Sequence, residues 1–318
     1  MSLVAFEIPK VTYTGKIKEI KLGKGPKAVA VGGETAYPFH LFEGEMPNPP
    51  RIAMEVYDAA PDDWAEAALE PFKDVVNDPV AWAKKCVGSY GAEMIALQLV
   101  STDPNGLNRS GEEAAQTAKK VAGAVDVPVI VWGSGNADKD SDVLRKVAEA
   151  CDGMNLIIGP VVEDNYKQVG AGAIGYKQTA IASSPIDINL AKQLNILLGN
   201  LGVPDEQIIV DPTTGGLGYG IEYTYSVMER DRMAALTQQD ERLQFPILCN
   251  MAKEVWKTKE AKTKTEDAPT LGDAQKRGIL MEATTAVMLL LAGADVLVMR
   301  HPEAIRLVRE MIADLMAK

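Results

Sequence analysis

The chain has 318 residues, of which 47% are hydrophobic and 24% are charged, which suits one large α/β domain. Its net charge of -11 argues against a nucleic-acid partner, because a phosphate backbone requires a basic face. Three isolated cysteines and two histidines argue against a disulfide framework, a four-cysteine iron–sulfur cluster and a multi-histidine metal site on this chain.

Residues 1–50 are interpreted as an N-terminal extension to the main domain. Residues 1–26 carry several lysines and glycines without a clear period, which predicts a loose arm. Residues 28–33 and 35–37 predict a hairpin around a Gly-Gly-Glu turn, and residues 38–50 are proline-punctuated irregular chain. The N-terminus lacks the order of a signal peptide and no apolar run approaches about 18 residues, so a cytoplasmic protein without membrane contact is expected.

From residue 51 onward, strand-like runs alternate with segments that have apolar residues at helical spacing. Ser110 and Glu113 have the spacing of a capping box, Asp187 is a candidate helix cap, and Pro302 suits a first helical turn. Eight strand–helix units over residues 51–318 predict a (β/α)₈ TIM barrel, with the N-terminal extension closing its bottom. The predicted strands are Ile52–Tyr57, Met94–Val100, Val127–Trp132, Leu156–Ile158, Ala180–Ala182, Ile208–Val210, Phe245–Cys249 and Val296–Met299.

A doubly wound, dinucleotide-binding sheet is the alternative fold. Glycine-rich turns follow two of the strands, at residues 133–135 and 216–220. Neither turn has the G-x-G-x-x-G spacing, and the strand after the second turn ends without the acidic residue that a ribose requires. The barrel is therefore the preferred interpretation.

In a barrel of this kind, ligands bind where the strands end and the following loops begin. No lysine follows a strand directly, which argues against a Schiff-base aldolase, and a single histidine argues against a mononuclear metal hydrolase. Small hydrogen-bonding groups dominate, which suits a large polar ligand. The candidates at these strand ends are Asp58, Ser134, Ser184, Asp211, Asn250, Arg300 and His301.

The stretch from Ile208 to Glu222 predicts a ligand-facing corner. Three β-branched residues form a buried strand that Asp211 and Pro212 end, and a glycine-rich loop leads into the next helix. A carboxylate beside free helix N–H groups can bind a ligand. Thr213, Gly215 and Gly216 would then contact it, whereas the alternative is a turn that holds no ligand.

Each strand-end residue also has a purely structural interpretation. Asp58 could cap the next helix, Asn250 could fix a turn, Arg300 could pair with an acidic neighbour, and His301 could cap the last helix. Cys249 is expected in the core. The charged segment from residue 257 to 277 is either a solvated excursion or a flap that contacts a partner.

Several long phrases resemble one known family. They are PFHLFEGE (38–45), MEVYD (54–58), SPIDINLAKQLNIL (184–197), DPTTGGLGYGIEY (211–223) and MRHPEA (299–304). Together they resemble the small subunit of the corrinoid/iron–sulfur protein of the anaerobic acetyl-CoA pathway, also described as the delta subunit of acetyl-CoA decarbonylase/synthase. The resemblance covers nearly everything after about Ala28.

The resemblance implies a TIM barrel similar to the pterin-dependent methyltransferases. It implies a heterodimer with a larger subunit that carries a [4Fe-4S] cluster and a corrinoid-binding domain, and the corrinoid would sit between that domain and the top of this barrel. A methyl-pterin of the methyltetrahydrofolate type would give its methyl group to cobalt, which passes it to acetyl-CoA synthase. A pterin methyltransferase and acetyl-CoA synthase would be transient partners.

The same resemblance suggests which residues face the cofactor. Asp211-Pro212 and Asn250 occupy places similar to those that hold the pterin in the methyltransferases. All ten candidates named above are therefore expected to face the corrinoid or the methyl donor, and no residue is assigned a catalytic role. The alternative is a self-sufficient pterin methyltransferase acting on a separate corrinoid protein.

Overall fold

The computed structural model describes residues 7–215, 217 and 220–317. Within these residues, eight parallel strands close a barrel in the order β10-β3-β4-β5-β6-β7-β8-β9, and two short strands form a separate antiparallel pair. The strands are β1 (Ile20–Leu22), β2 (Val29–Val31), β3 (Arg51–Tyr57), β4 (Met94–Gln98), β5 (Val129–Trp132), β6 (Ile157–Val161), β7 (Thr179–Ser183), β8 (Ile208–Asp211), β9 (Ile247–Asn250) and β10 (Ala294–Met299).

Helices follow every barrel strand and surround the barrel. They are α1 (Glu66–Leu69), α2 (Pro79–Tyr90), α3 (Gly111–Ala124), α4 (Ala137–Ala150), α5 (Tyr166–Gly175), α6 (Ile188–Leu201), α7 (Ile221–Thr237), α8 (Ala252–Trp256), α9 (Lys259–Lys262), α10 (Ala274–Leu291) and α11 (Pro302–Met316). Over the residues described, no helix combines the length and apolar character needed to cross a bilayer.

The barrel prediction is confirmed by the pairing that closes it. The strands most distant in sequence lie side by side, with Leu297 opposite Ile52 and Met299 opposite Met54. The predicted helix starts are also confirmed: Ser110 and Glu113 form a capping box, and the Asp187 carboxylate accepts two backbone N–H groups at the start of α6. Local capping signals therefore placed these helix starts correctly.

The predicted N-terminal hairpin is wrong in its pairing. Strand β2 pairs with β1, so that Val31 lies opposite Ile20, and residues 35–37 form no strand. The loose arm predicted for residues 1–26 is also wrong from Ile17 onward, because Ile17, Ile20 and Leu22 are fully buried. Lysines alternate with these apolar residues, as in a half-buried strand, and obscure their period.

The β1–β2 hairpin covers the bottom of the barrel, where the strands begin. The Lys18 N–H donates to the Gln244 carbonyl just before β9, and the Asn155 amide donates to the Gly23 carbonyl just before β6. The Arg232 guanidinium bonds the Asp295 carboxylate at the start of β10. Because the extension closes this end, the opposite face remains for a ligand.

Candidate functional site

A cavity of about 200 Å³ lies at the C-terminal ends of the barrel strands. We call it the polar lobe, because amide, hydroxyl and carboxyl groups supply much of its wall. The loops after β4, β5, β8 and β9 converge there, as is usual for ligand sites in this fold. Its lining residues are Gln98, Val100, Asp103, Trp132, Gly133, Ser134, Gly135, Asp211, Thr213, Thr214, Asn250, Lys253 and Glu254.

Asp211 supplies a buried carboxyl group to the polar lobe. Its side chain is only 3% exposed and accepts hydrogen bonds from the Ser183 hydroxyl (2.9 Å) and the Thr213 N–H (3.1 Å). Burial raises the pKa of Asp211 to about 7, although both hydrogen bonds oppose the shift; the nearby Glu254 carboxylate adds to it. Asp211 can therefore exchange a proton near neutral pH.

Asn250 and Gln98 face each other at the same cavity. The Gln98 amide donates to Asn250 Oδ1 at 3.0 Å, and the Asn250 amide donates to Gln98 Oε1 at 3.4 Å. Each amide nitrogen carries a second hydrogen, and each carbonyl oxygen a second lone pair, that can serve a ligand. The pair can thus donate to and accept from one polar ring.

The loop after β5 is held by Asp140 of α4. The Asp140 carboxylate accepts from the Ser134 N–H, the Ser134 hydroxyl and the Gly135 N–H, at 2.8–2.9 Å. A Cβ on Gly133 would lie 2.5 Å from that carboxylate, so only glycine fits there. This clamp fixes the position of Ser134 on the cavity wall.

The loop after β8 contains a backbone conformation that β-branched residues rarely adopt. Thr213 has φ of 61°, which costs roughly 1–3 kcal/mol. Its hydroxyl donates to the Ser184 carbonyl (2.7 Å), and its own carbonyl accepts from the Thr224 hydroxyl (3.2 Å). Thr213 therefore joins the loops after β7 and β8 to helix α7.

A second cavity of about 410 Å³ adjoins the first, and Gly135 and Thr213 line both. We call it the apolar lobe, because five carbon-rich side chains form much of its wall. The loops after β6 and β7 and one face of α6 supply that wall. Its other lining residues are Ala137, Val162, Glu163, Asp164, Ser183, Ser184, Pro185, Leu190, Gln193, Leu194 and Leu197.

The structure thus brings several of the sequence candidates together. Ser134, Asp211, Thr213 and Asn250 line the polar lobe, and Ser184 lines the apolar lobe. Gly215 lies beside these residues, with Ile186 Cδ1 3.3 Å from where its Cβ would stand. The prediction for Gly216 falls outside the residues that the structure describes.

Asp58 lies apart from both lobes. Its carboxylate accepts from the Ser101 N–H (2.9 Å) and the Ser101 hydroxyl (2.5 Å), so it fixes the loop after β4 and does not cap the next helix. Asp58 also lines a separate groove with Arg109 and Lys120.

Arg300 and His301 directly follow strand β10, and their contacts are structural. Arg300 is buried, pairs with Glu55 at 2.6 Å and lies 3.6 Å from the centre of the Trp64 ring, which confirms the alternative of an acidic partner. His301 Nδ1 accepts from the Glu303 N–H, which confirms the alternative of a helix cap. Neither residue lines either lobe.

The sequence did not identify three residues that line the polar lobe, Gln98, Lys253 and Glu254, or Asp140, which holds the loop after β5. Gln98 is a polar residue within an apolar strand, which was a detectable anomaly, whereas Asp140 stands among other charged residues and its burial leaves no signal in the sequence. Lys253 and Glu254 lie in the first turn of helix α8, three and four residues after Asn250. The prediction that no lysine follows a strand directly holds, but Lys253 still reaches the cavity from a helix.

The charged segment from residue 257 to 277 is folded against the barrel. It includes α9, and Lys262 pairs with Asp63 at 2.7 Å. The Arg277 guanidinium donates to the Glu260, Thr263 and Gly272 carbonyls. These bonds give the segment a defined shape.

Comparison with known proteins identifies close relatives. A family model described as CO dehydrogenase/acetyl-CoA synthase delta subunit matches residues 19–314. The acetyl-CoA decarbonylase/synthase complex subunit delta of Methanothermobacter thermautotrophicus is 37% identical over 308 residues, covering 96% of this chain and 77% of the relative. The corresponding subunit of Methanopyrus kandleri is 38% identical, covering 91% of this chain and 70% of its own length.

Among solved structures, dihydropteroate synthases have a similar fold. The enzyme of Xanthomonas albilineans with 4-aminobenzoic acid has a TM-score of 0.58 at 13% identity, covering 86% of this chain and 96% of that one. The same enzyme in complex with 7,8-dihydropteroate has a TM-score of 0.55 at 12% identity, covering 86% and 96%. At these identities the likeness supports the TIM-barrel fold alone.

Proposed function

Because this chain belongs to the family of CO dehydrogenase/acetyl-CoA synthase delta subunits, we propose that its barrel top takes part in methyl transfer between a methyl-pterin and a corrinoid. The corrinoid would be held by a larger partner subunit, which also carries the [4Fe-4S] cluster, and this barrel would cover it. A methyl group placed on cobalt would pass on to acetyl-CoA synthase. A separate pterin methyltransferase would be a transient partner.

The polar lobe carries this proposal. At about 200 Å³ it is small for a corrin macrocycle, which would lie across the face, but it suits a bicyclic ring. A pterin ring has an amino group, ring N–H groups and a carbonyl oxygen. The Asp211 carboxyl can accept from the donors, while Asn250 and Gln98 can pair with the remaining edge.

The chemistry of the wall agrees with methyl transfer by positioning. A bound corrinoid would supply the nucleophile that accepts the methyl group, and the residues of this chain would hold the pterin that gives it up. Asp211, with its pKa near 7, can hold or release one proton as charge changes on the pterin. The buried Ser183 hydroxyl and Thr213 N–H keep that carboxyl oriented.

The dihydropteroate synthase structures provide a parallel. That enzyme is in complex with 7,8-dihydropteroate, a pterin compound, in a barrel of the same fold. We propose that the delta-subunit barrel binds a pterin at the C-terminal ends of its strands.

Titration of the full chain with 6-hydroxymethyl-dihydropterin by calorimetry tests the pterin site. We expect saturable binding. Asn250→Ala should weaken it about tenfold, because the pterin ring loses its hydrogen bonds to the Asn250 amide. Asp58→Asn is the control, since Asp58 follows strand β3 and lines neither lobe. Equal affinity for all three proteins, or no binding to any, would contradict the proposed site.

The second candidate is a self-sufficient pterin methyltransferase that acts on a separate corrinoid protein. The presence of Asp211 and Asn250 in one cavity favours it as well. Copurification with a corrinoid-carrying subunit in fixed ratio supports the first proposal. Turnover of methyl-pterin by the isolated chain with free corrinoid supports the second.

A further inference from the structure

The turn after strand β2 places one acidic side chain beneath the barrel. Gly32 and Gly33 have φ of 80° and 95°, a region that residues with a side chain rarely adopt. A Cβ on Gly32 would lie 2.1 Å from the Lys18 carbonyl oxygen and 2.9 Å from the ring of Pro246, just before β9. The chain is therefore packed closely against the barrel bottom, and the next residue, Glu34, is only 4% exposed there.

The Glu34 carboxyl group faces an ion pair of the barrel bottom. Asp295, at the start of β10, pairs with Arg232 of α7 at 2.5 Å and accepts from the Ile247 N–H at 2.6 Å. The Arg232 guanidinium also donates to the Gly293 carbonyl. Arg232 and Asp295 neutralise each other, and the described residues show no ion pair of Glu34, so a charge on Glu34 would be uncompensated.

These surroundings suit the neutral form of Glu34. Neither of its carboxyl oxygens has a hydrogen-bond donor among the described residues. A carboxylate only accepts hydrogen bonds, so ionised Glu34 could not bond to the Asp295 carboxylate, whereas neutral Glu34 can donate its proton to it. Burial raises the pKa of Glu34 well above its usual value; Asp295 adds to the shift and Arg232 opposes it.

The other charged groups around this turn do not neutralise it. Lys18 pairs with Asp205 at 2.6 Å. Arg51, at the start of β3, pairs with Glu93 at 3.2 Å. Two nearby carboxyl groups can add only negative charge; they belong to Asp231 of α7 and to Glu19 of the hairpin. The charge of the turn is therefore set by its one buried carboxyl group.

We propose that Glu34 is a proton-dependent latch between the N-terminal extension and the barrel bottom. With its proton, Glu34 bonds to Asp295 and holds residues 32–34 in place. When the proton passes to solvent, two carboxylates face each other away from water, and the turn moves outward so that Glu34 becomes hydrated. The latch is thus closed at low pH and loosens as pH rises, at the end of the barrel opposite the proposed pterin site.

Hydrogen exchange of the full chain tests the latch. Two backbone amides report its opening, because the Ile17 N–H donates to the Glu34 carbonyl and the Thr35 N–H donates to the Glu45 carbonyl. Opening releases one proton wherever Glu34 is neutral in the closed state and ionised in the open state. The opening constant should therefore rise about tenfold per pH unit above the usual glutamate pKa of about 4.3, and level off once Glu34 ionises in the folded chain.

Glu34→Gln isolates this effect, because its amide can still donate to Asp295 but does not titrate. At each pH from 5 upward the two proteins share the same intrinsic exchange rate, so the ratio of their rates at Ile17 and Thr35 follows the latch alone. The unchanged protein should exchange faster, by about tenfold more per pH unit until the plateau. Glu19→Gln, on the exposed side of the hairpin, is the matched control and should exchange like the unchanged protein.

Amides at the barrel top provide an internal reference. The Ser101 N–H bonds to Asp58 and the Gly135 N–H bonds to Asp140, so both should exchange equally in all three proteins. The same pH dependence at Ile17 in Glu34→Gln and in the unchanged protein would overturn the latch.

Carboxyl carbon NMR of the unchanged protein reads the proton directly and needs no variant to fold. We expect the Glu34 carboxyl to be neutral at pH 6 and its ionisation to coincide with the plateau in exchange at Ile17. A Glu34 carboxylate that is already ionised at pH 6 would also overturn the proposal.

Discussion

Replacing Asp211 by asparagine should change how the stability of the protein depends on pH. Burial raises the pKa of this carboxyl from 3.8 to about 7 in the folded chain. A carboxyl with a raised pKa contributes most to stability below its unfolded pKa, and that contribution is lost as pH rises to the folded value. Asparagine resembles the neutral carboxyl and can still accept from the Thr213 N–H, but it does not titrate.

The magnitude follows from the interval between the two pKa values. Between pH 5 and pH 7 the folded protein keeps the proton on Asp211 while the unfolded chain has lost it, and each pH unit costs about 1.4 kcal/mol. The stability difference between Asp211→Asn and the unchanged protein should therefore widen by about 2–3 kcal/mol from pH 5 to pH 8, in favour of the variant. Other titrating groups contribute equally to both proteins and cancel.

Urea unfolding at pH 5, 6, 7 and 8 measures this difference. Asp231→Asn is the matched control, because burial also raises the pKa of Asp231 to about 7 but Asp231 lies outside both lobes. It should reproduce the widening without changing pterin affinity. A difference that stays constant from pH 5 to pH 8 for Asp211→Asn would show that the carboxyl is already ionised at pH 5, and the reasoning would be wrong.

Two further predictions concern Arg300 and His301, which directly follow strand β10. Arg300→Leu should lower the free energy of unfolding by about 3–5 kcal/mol, because it leaves Glu55 buried without its partner. Arg306→Leu, on the exposed face of α11, is the control and should hardly change the free energy of unfolding. Urea titration measures both. Burial lowers the pKa of His301 to about 4, so stability is full above about pH 6.5 and is lost as pH falls towards 4. NMR titration of the imidazole should show no protonation of His301 at pH 6, and a midpoint near 6.5 would contradict its burial as a neutral cap.

The barrel could be predicted from the sequence because each of its strands is a short apolar run followed by a helical pattern. Errors arose where charged residues interrupt a strand or where a strand runs on through a proline. The Val29–Val31 strand pairs with the lysine-interrupted segment around Ile20, so the hairpin was placed on the wrong side of the strand. Strand β6 extends through Pro160 to Val161, three residues beyond its predicted end at Ile158.

The site was predicted in part, for a physical reason. Asp211 and Asn250 end neighbouring strands of a parallel barrel, and such ends must converge. Gln98 was missed because its role depends on meeting Asn250 across the closed barrel, and Asp140 was missed because it lies on a helix and not at a strand end. Arg300 ends a strand too, yet its partner Glu55 keeps it outside the cavity.

The most direct test of the proposed function is hydrogen exchange of the full chain with and without the corrinoid-carrying partner subunit. If the barrel top covers the corrinoid, amides in the loops at residues 133–136, 184–187 and 213–215 should be protected in the complex. The hairpin of β1 and β2 at the opposite end should exchange as in the free chain. Protection confined to that hairpin or to the outer helices, with the three loops unchanged, would contradict the account.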